Sequence, residues 1–356
     1  MVEADSDKSF CRPLPYTPSG MSTQTFFRLS PEQLEQFDRE GYLVVEDLFS
    51  DADLQVVIDE ISDELDRQAK AAVERGELSR DYAEYGFEHR LAHINRENDR
   101  IAKSMWDFKV VLPSFFGLMT NPNLLDVAEQ LCGEELIASS VYRLRPKVPS
   151  HAWSPVPWHQ DSGYFEPFCD KSLILTVWLP LVDATEERGC MWVIPGMHKG
   201  EVLPHHPDSM AHYLEIDEEH FGERRAVCCP VRKGGVLLMT NRTPHASFEN
   251  KSDVVRWSMD LRYQSAALPT NANITRLPGE ATSLPEAGVP LACNPPEPDF
   301  LVRSKVRPNE VMRTPEEFLA LRANHVYAPS TDRWNYSVAG RQDELGGYKH
   351  APGART

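Results

Sequence analysis

The sequence predicts a mainly β protein with flanking helices, its strands closed into a double-stranded β-helix barrel of the jelly-roll kind. Three observations predict it. Amphipathic helical stretches fill the first third of the chain. After Gly133 the texture changes to short strand-like runs broken by Pro and Gly, the pattern of a sheet barrel backed by helices. No repeat of solenoid period interrupts either part.

Residues 1–25 are polar, with Pro and Ser, and are expected to form a flexible N-terminus. Residues 26–356 are expected to form a single domain, with barrel strands over about 136–264 and a C-terminal extension over 265–356. Ser30-Pro31-Glu32-Gln33 reads as a helix start. Ser30 caps, Pro31 takes the first helical position and Gln33 completes a capping box. Gly41 ends that helix, and 42–45 reads as a short strand. Ser50 caps a second helix, in which Leu54, Val57, Ile58, Ile61 and Leu65 form an apolar stripe that packs on a sheet. Residues 81–98 are charged and include His89, Arg90 and His93. They read as a solvated connection or as a lid over the site. Asn121-Pro122 opens another helix, with Leu124, Leu125, Val127, Ala128 and Leu131 facing a core, and Gly133 stops it. Strands are expected at 138–145, 173–182, 190–194, 236–240 and 254–263. The stretch 265–298 reads as irregular. Thr314-Pro315-Glu316-Glu317 caps a last helix running to about Asn324, and Trp334 and Tyr336 are candidates to pin the tail to the barrel.

The bulk properties narrow the function. A 41% hydrophobic content over 356 residues supports a large core. A net charge of −17 argues against nucleic acid, whose phosphates need clustered Lys and Arg, and against anionic membrane surfaces. The seven Cys have no framework spacing and include no C-x-x-C pair, so reduced thiols and a cytoplasmic setting are expected, without a Cys-His zinc site. No basic-then-apolar leader is visible, and the longest apolar run, 173–182, is too short to span a bilayer. The expected partner is a small-molecule substrate; homo-oligomerisation is left open.

The stretch Trp158-His159-Gln160-Asp161 organises the chemistry. Residues two apart in an extended strand point to one side, so His159 and Asp161 would present an imidazole and a carboxylate together. That is two-thirds of the two-His-one-carboxylate face that binds non-haem Fe(II) and leaves positions open. The third ligand is expected from a distant His. His245 is the first candidate, with His198, His205, His206, His212 and His220 as competitors. An H-x-D alone arises by chance in many surface loops. The ordered set is more specific: H-x-D, a strand-like run, a glycine turn, His, then Arg on a strand. In the alternating run 254–263, Arg256 and Ser258 share a face, and an Arg there can pair bidentately with a carboxylate.

These pieces resemble the phytanoyl-CoA dioxygenase family of Fe(II)/2-oxoglutarate oxygenases. The resemblance rests on Pro157-Trp158-His159-Gln160-Asp161, Leu175-Thr176-Val177-Trp178-Leu179-Pro180-Leu181, Gly189-Cys190-Met191-Trp192-Val193-Ile194-Pro195-Gly196-Met197-His198-Lys199 and the stretch from His245 to Arg256. Phe37-Asp38-Arg39-Glu40-Gly41-Tyr42-Leu43-Val44-Val45 also resembles the family's opening. It implies a cupin-like jelly roll, a catalytic iron held by His159, Asp161 and His245, 2-oxoglutarate as co-substrate, and O2. It implies Arg256 as the anchor of the distal carboxylate, Trp178 along the co-substrate and Ser247 near its distal end. Ser258 and Thr176 join these by alternation, and Tyr142 and Arg145 are weaker candidates. Tyr164 and Trp192 read as packing. Two departures stand out. Gly235 replaces the acidic residue usual after the first glycine of that turn, and Arg145-Pro146-Lys147-Val148-Pro149 differs from the Lys-Pro-Pro-like stretch. The expected activity is hydroxylation of a small molecule with release of succinate and CO2. The alternatives are the same chemistry diverted to desaturation, epimerisation or cyclisation, or a non-redox metal-binding jelly-roll protein.

Overall fold

A computed structural model describes residues 26–106, 110–139, 143–150, 154–165, 167–208, 213–268 and 299–324. The expectations for 1–25, 269–298 and the Trp334 and Tyr336 pins lie outside the described residues. The helices are α1 (Pro31–Glu40), α2 (Asp51–Glu74), α3 (Phe87–Glu97), α4 (Arg100–Trp106), α5 (Pro113–Met119), α6 (Pro122–Cys132) and α7 (Pro315–Asn324). The strands are β1 (Tyr42–Val45), β2 (Leu136–Ser139), β3 (Arg143–Lys147), β4 (Val156–His159), β5 (Ile174–Pro180), β6 (Met191–Val193), β7 (His206–Pro207), β8 (Leu214–Glu215), β9 (Val227–Cys229), β10 (Val236–Thr240), β11 (His245–Ser247), β12 (Arg256–Ser265) and β13 (Asp299–Arg303).

The local signals act as expected at the helix ends. Ser30 and Gln33 form the reciprocal capping box of α1, and Ser50 with Asp53 forms one for α2. Asn121 accepts from the Asn123 and Leu124 amides at the start of α6. Thr314 and Glu317 exchange hydrogen bonds at the start of α7.

Two antiparallel sheets make a double-stranded β-helix. A seven-stranded sheet runs β1-β10-β5-β12-β2-β13, with β3 also paired to β12. A four-stranded sheet runs β4-β11-β6-β9. The large sheet therefore gains β1 and β13 from outside the 136–264 span. Period-2 alternation sorts its strands. Val177 and Leu179 of β5, Leu238 of β10 and Trp257, Met259, Leu261 and Tyr263 of β12 join the core shared with the helices. Trp178, Leu237 and Met239 turn the other way and pack with Met191, Val193 and Cys229 of the small sheet. The barrel interior lies between, and the polar face of β12 looks into it.

Residues 81–98 are neither a solvated connection nor a lid. They contain α3, which braces the outer side of β12. Trp257 donates to the Phe87 carbonyl at 3.1 Å and its ring stacks on Phe87, while the Val255 amide donates to the Glu88 carbonyl. Arg90 is buried and paired with Asp66 of α2 at 2.9 Å. Among the described residues, no helix is long and apolar enough to cross a membrane.

Gly41 ends α1 in the left-handed region, at φ +80. A Cβ there would sit 2.3 Å from His198 Nδ1 and 2.8 Å from Thr243 Oγ1. Gly41→Ala is expected to destabilise the protein by about 3 kcal/mol, combining the left-handed penalty with overpacking. Urea unfolding checks this; an unchanged midpoint would show that His198 yields freely.

Candidate active site

His159 and His245 are direct cross-strand partners on β4 and β11. Both side chains are buried and turn to the interior, while their neighbours Trp158 and Ala246 turn outward into a second apolar cluster. The His159 Nδ1–H donates to the Pro157 carbonyl at 2.9 Å, and the His245 Nδ1–H donates to the Thr243 carbonyl at 2.9 Å. Each bond fixes the tautomer that leaves Nε2 with a free lone pair, the form a metal needs. Burial, followed by the neighbouring His245, pushes the His159 imidazole down to about 3, so it is neutral near pH 7.

Asp161 does not continue the strand. β4 stops at His159, Gln160 stays extended, and Asp161 opens a 3-10 turn, Asp161–Tyr164. The extended Gln160 keeps the two ligands on one side. Asp161 Oδ1 lies 3.9 Å from His159 Nε2 and 4.0 Å from His245 Nε2, spacings a single ion between them can bridge. Burial alone would raise the carboxyl, but Arg262, with the two imidazoles, holds it well below the usual carboxylate range. Two imidazoles with their Nε2 atoms turned to one point and one carboxylate, all buried, suit a divalent iron.

The segment between the ligands is tied down from both sides. The Gln160 amide donates to His205 Nε2 at 3.0 Å, and the His205 Nδ1–H donates to the Leu203 carbonyl at 2.7 Å. The Gln160 side chain donates to the Arg242 carbonyl and accepts from the Leu203 amide. His205 thus uses both nitrogens on the backbone and is no ligand. Of the other competitors, His198 packs over Gly41 with Nε2 3.0 Å from the Asp38 carbonyl. His206 is 3.2 Å from Asp217, and His220 belongs to an exposed trio with Asp217 and Glu219. His212 lies outside the described residues.

The second half of the site lies on the inner face of β12. Arg256 is fully buried, its Nη1 donates to Ser258 Oγ, and its Nε has no hydrogen-bond partner. Its guanidinium sits 5.2 Å from the Trp178 ring centroid. Burial lowers it only to about 10, so it stays charged at neutral pH. Ser247 faces not Arg256 but Lys147, which the sequence reading passed over. Lys147 is wholly buried and donates to the Ser247 carbonyl, the Ser247 hydroxyl and the Phe248 carbonyl at 2.7–2.9 Å. Burial, then Arg256, pushes its ammonium well below the ordinary lysine range. Lys147 pairs in register with Arg256, and Arg145 with Ser258. The alternation in Arg145-Pro146-Lys147 was the available signal. Arg145 leans on Trp106 and lies 3.6 Å from Asp260. A buried guanidinium with an orphaned donor, beside a buried lysine, makes a site short of an anion. A dicarboxylate fits it.

The Thr176 hydroxyl, on the same face of β5 as Trp178, donates to Asp161 Oδ2 at 2.6 Å. Tyr142 lies outside the described residues. Tyr164 packs edge-on against His159 and accepts from the Leu214 amide; Trp192 packs edge-on against Phe248.

Over residues 37–258 the sequence matches the profile of the family described as phytanoyl-CoA dioxygenase (PhyH). It is 25% identical over 248 residues to the peroxisomal phytanoyl-CoA dioxygenase of Homo sapiens, covering 67% of this chain and 69% of the relative. It is 26% identical over 247 residues to the probable alpha-ketoglutarate-dependent hypophosphite dioxygenase of Stutzerimonas stutzeri, covering 66% and 78%. Among solved structures, the non-heme alpha ketoglutarate dependent epimerase SnoN from nogalamycin biosynthesis superposes with a TM-score of 0.46 at 21% identity, over 73% of this chain and 94% of that one.

Proposed function

The chain belongs to the phytanoyl-CoA dioxygenase family and is a non-haem iron, 2-oxoglutarate-dependent dioxygenase; on that premise we propose that it hydroxylates a small-molecule substrate. The observation that supports the iron assignment is the convergence of His159 Nε2, His245 Nε2 and Asp161 Oδ1, with both tautomers preset. These three residues would hold Fe(II). Arg256 would pair its free Nε–H edge with the distal carboxylate of 2-oxoglutarate, with the buried Lys147 beside it in register. With both bound, the chemistry supplied is oxidative decarboxylation of 2-oxoglutarate to succinate and CO2, coupled to oxidation of the substrate by O2.

The chain's own part is position and dryness. The imidazoles are held by backbone carbonyls and the carboxylate by Arg262, so the open side of the triad does not wander. Trp178, Leu237, Met239 and Val193 line the interior with apolar surface that excludes water.

The test is succinate release with Fe(II), 2-oxoglutarate and O2 across a small-molecule panel, with product mass. A product one oxygen heavier supports hydroxylation. A product lighter by two hydrogens, or of unchanged mass, would move the outcome to desaturation, cyclisation or epimerisation. No substrate-dependent succinate from any panel member, with the metal bound, would count against the oxygenase reading.

The intact carboxylate also bears on halide chemistry. As a metal ligand, Asp161 would take the position a halide would need and would add negative charge there. Turnover is expected to be independent of chloride and bromide, with no halogen in the product. Mass spectrometry of product formed in bromide buffer checks this, and a brominated product would remove Asp161 from the ligand set.

A further inference from the structure

We propose that Arg262 and Thr176 are positioning residues that fix Asp161 as a one-oxygen metal ligand. The proposal rests on the iron assignment above. Arg262 and Thr176 are cross-strand partners on β12 and β5, both on the inner face of the large sheet. From there they reach Asp161, which follows β4 of the small sheet. Arg262 Nη2 lies 2.9 Å from Oδ1 and its Nε 3.2 Å from Oδ2, a bidentate pair. The Thr176 hydroxyl donates to Oδ2 at 2.6 Å. All three side chains are buried.

The two oxygens are therefore unequal. Oδ2 accepts from both Arg262 and Thr176, which leaves it little lone-pair density for a metal. Oδ1 accepts from Arg262 alone and faces the two Nε2 atoms at 3.9 and 4.0 Å. The clamp selects Oδ1 and disfavours two-oxygen chelation, which would fill a coordination position that the co-substrate and O2 need. Its guanidinium also offsets the ligand's charge, leaving the metal more attractive to an anionic chelator. Without the Asp161 side chain, the same three donors become a ready receptor for a small carboxylate.

That last property separates positioning from a merely structural clasp. The measurement is anaerobic Co(II) titration, read by its visible absorption, on the wild type and on Thr176→Val, Arg262→Lys, Asp161→Ala and the double variant Asp161→Ala/Arg262→Met. Thr176→Val and Arg262→Lys are each expected to weaken Co(II) roughly 10- to 100-fold, as loss of an outer partner of a metal ligand does. Asp161→Ala should lose the metal and regain it with added formate, which takes the carboxylate's place on Arg262. The double variant should not be rescued. Unchanged Co(II) affinity in both Thr176→Val and Arg262→Lys would overturn the proposal, as would equal formate rescue with and without Arg262. Thr176→Val is nearly isosteric and decides the matter even should the double variant fail to fold. A wild type that binds neither Co(II) nor Fe(II) would instead sink the iron assignment itself, so the two failures are distinguishable.

Discussion

His159→Ala, Asp161→Ala and His245→Ala are each expected to weaken Fe(II) by more than about a hundredfold, since even the outer partners of metal ligands are worth 10- to 100-fold, and to abolish turnover. The reason is the number and arrangement of donors. Two remaining ligands neither fill one face of the ion nor set where its open positions point. Among the described residues, no other nearby histidine is placed to substitute. His205 spends both nitrogens on Gln160 and Leu203, and His198 is packed over Gly41 at the end of α1. Equilibrium dialysis with Fe(II) under nitrogen, followed by the succinate assay, checks this. Full activity in His245→Ala would show that the third ligand comes from elsewhere in the chain.

What was legible in the sequence shares a property: its signal is local. The capping boxes at Ser30 and Ser50, the Pro31 start, the Gly41 stop and the α2 stripe each lie within a few turns of chain. The alternation of β12 separates Arg256 and Ser258 from Trp257 and Met259, and the structure keeps that division between barrel interior and helical core. The triad could be read because H-x-D is contiguous and His245 follows it in the order strand-like run, glycine turn, His. What was not legible depends on residues far apart meeting. Asp161 takes its partners from 15 residues away at Thr176 and 101 away at Arg262. Gln160 is held by His205, 45 residues on. Such pairs leave no periodicity behind. Thr176 shares a face with Trp178, so alternation placed it correctly in the interior and could not tell that its hydroxyl belongs to the metal ligand. Two-residue strands such as β7 and β8 are too short to show a period. The charged residues of 81–98 hid α3, whose buried Leu91, Ala92 and Ile94 are outnumbered by polar neighbours.

Arg256→Ala is expected to weaken 2-oxoglutarate roughly a hundredfold or more, equivalent to about 2.7 kcal/mol or more, while Fe(II) affinity measured without co-substrate stays near the wild-type value. The side chain lies at the far end of the β12 face from Arg262, and its buried Nε has no hydrogen-bond partner among the described residues. A distal carboxylate supplies the missing acceptor, and a charge-assisted pair in a dry site is among the stronger hydrogen bonds a protein makes. Arg256→Lys should recover only part of the loss, because an ammonium cannot offer the planar fork. Arg262 is a poor fallback anchor, since its Nε and Nη2 donors are committed to Asp161. The measurement is 2-oxoglutarate titration of the Fe(II)-loaded protein under nitrogen, followed by its charge-transfer absorption. Unchanged affinity in Arg256→Ala would move the anchor to Lys147, the fully buried lysine paired with it in register. The same titration on Lys147→Met would then have to show the loss that Arg256→Ala did not.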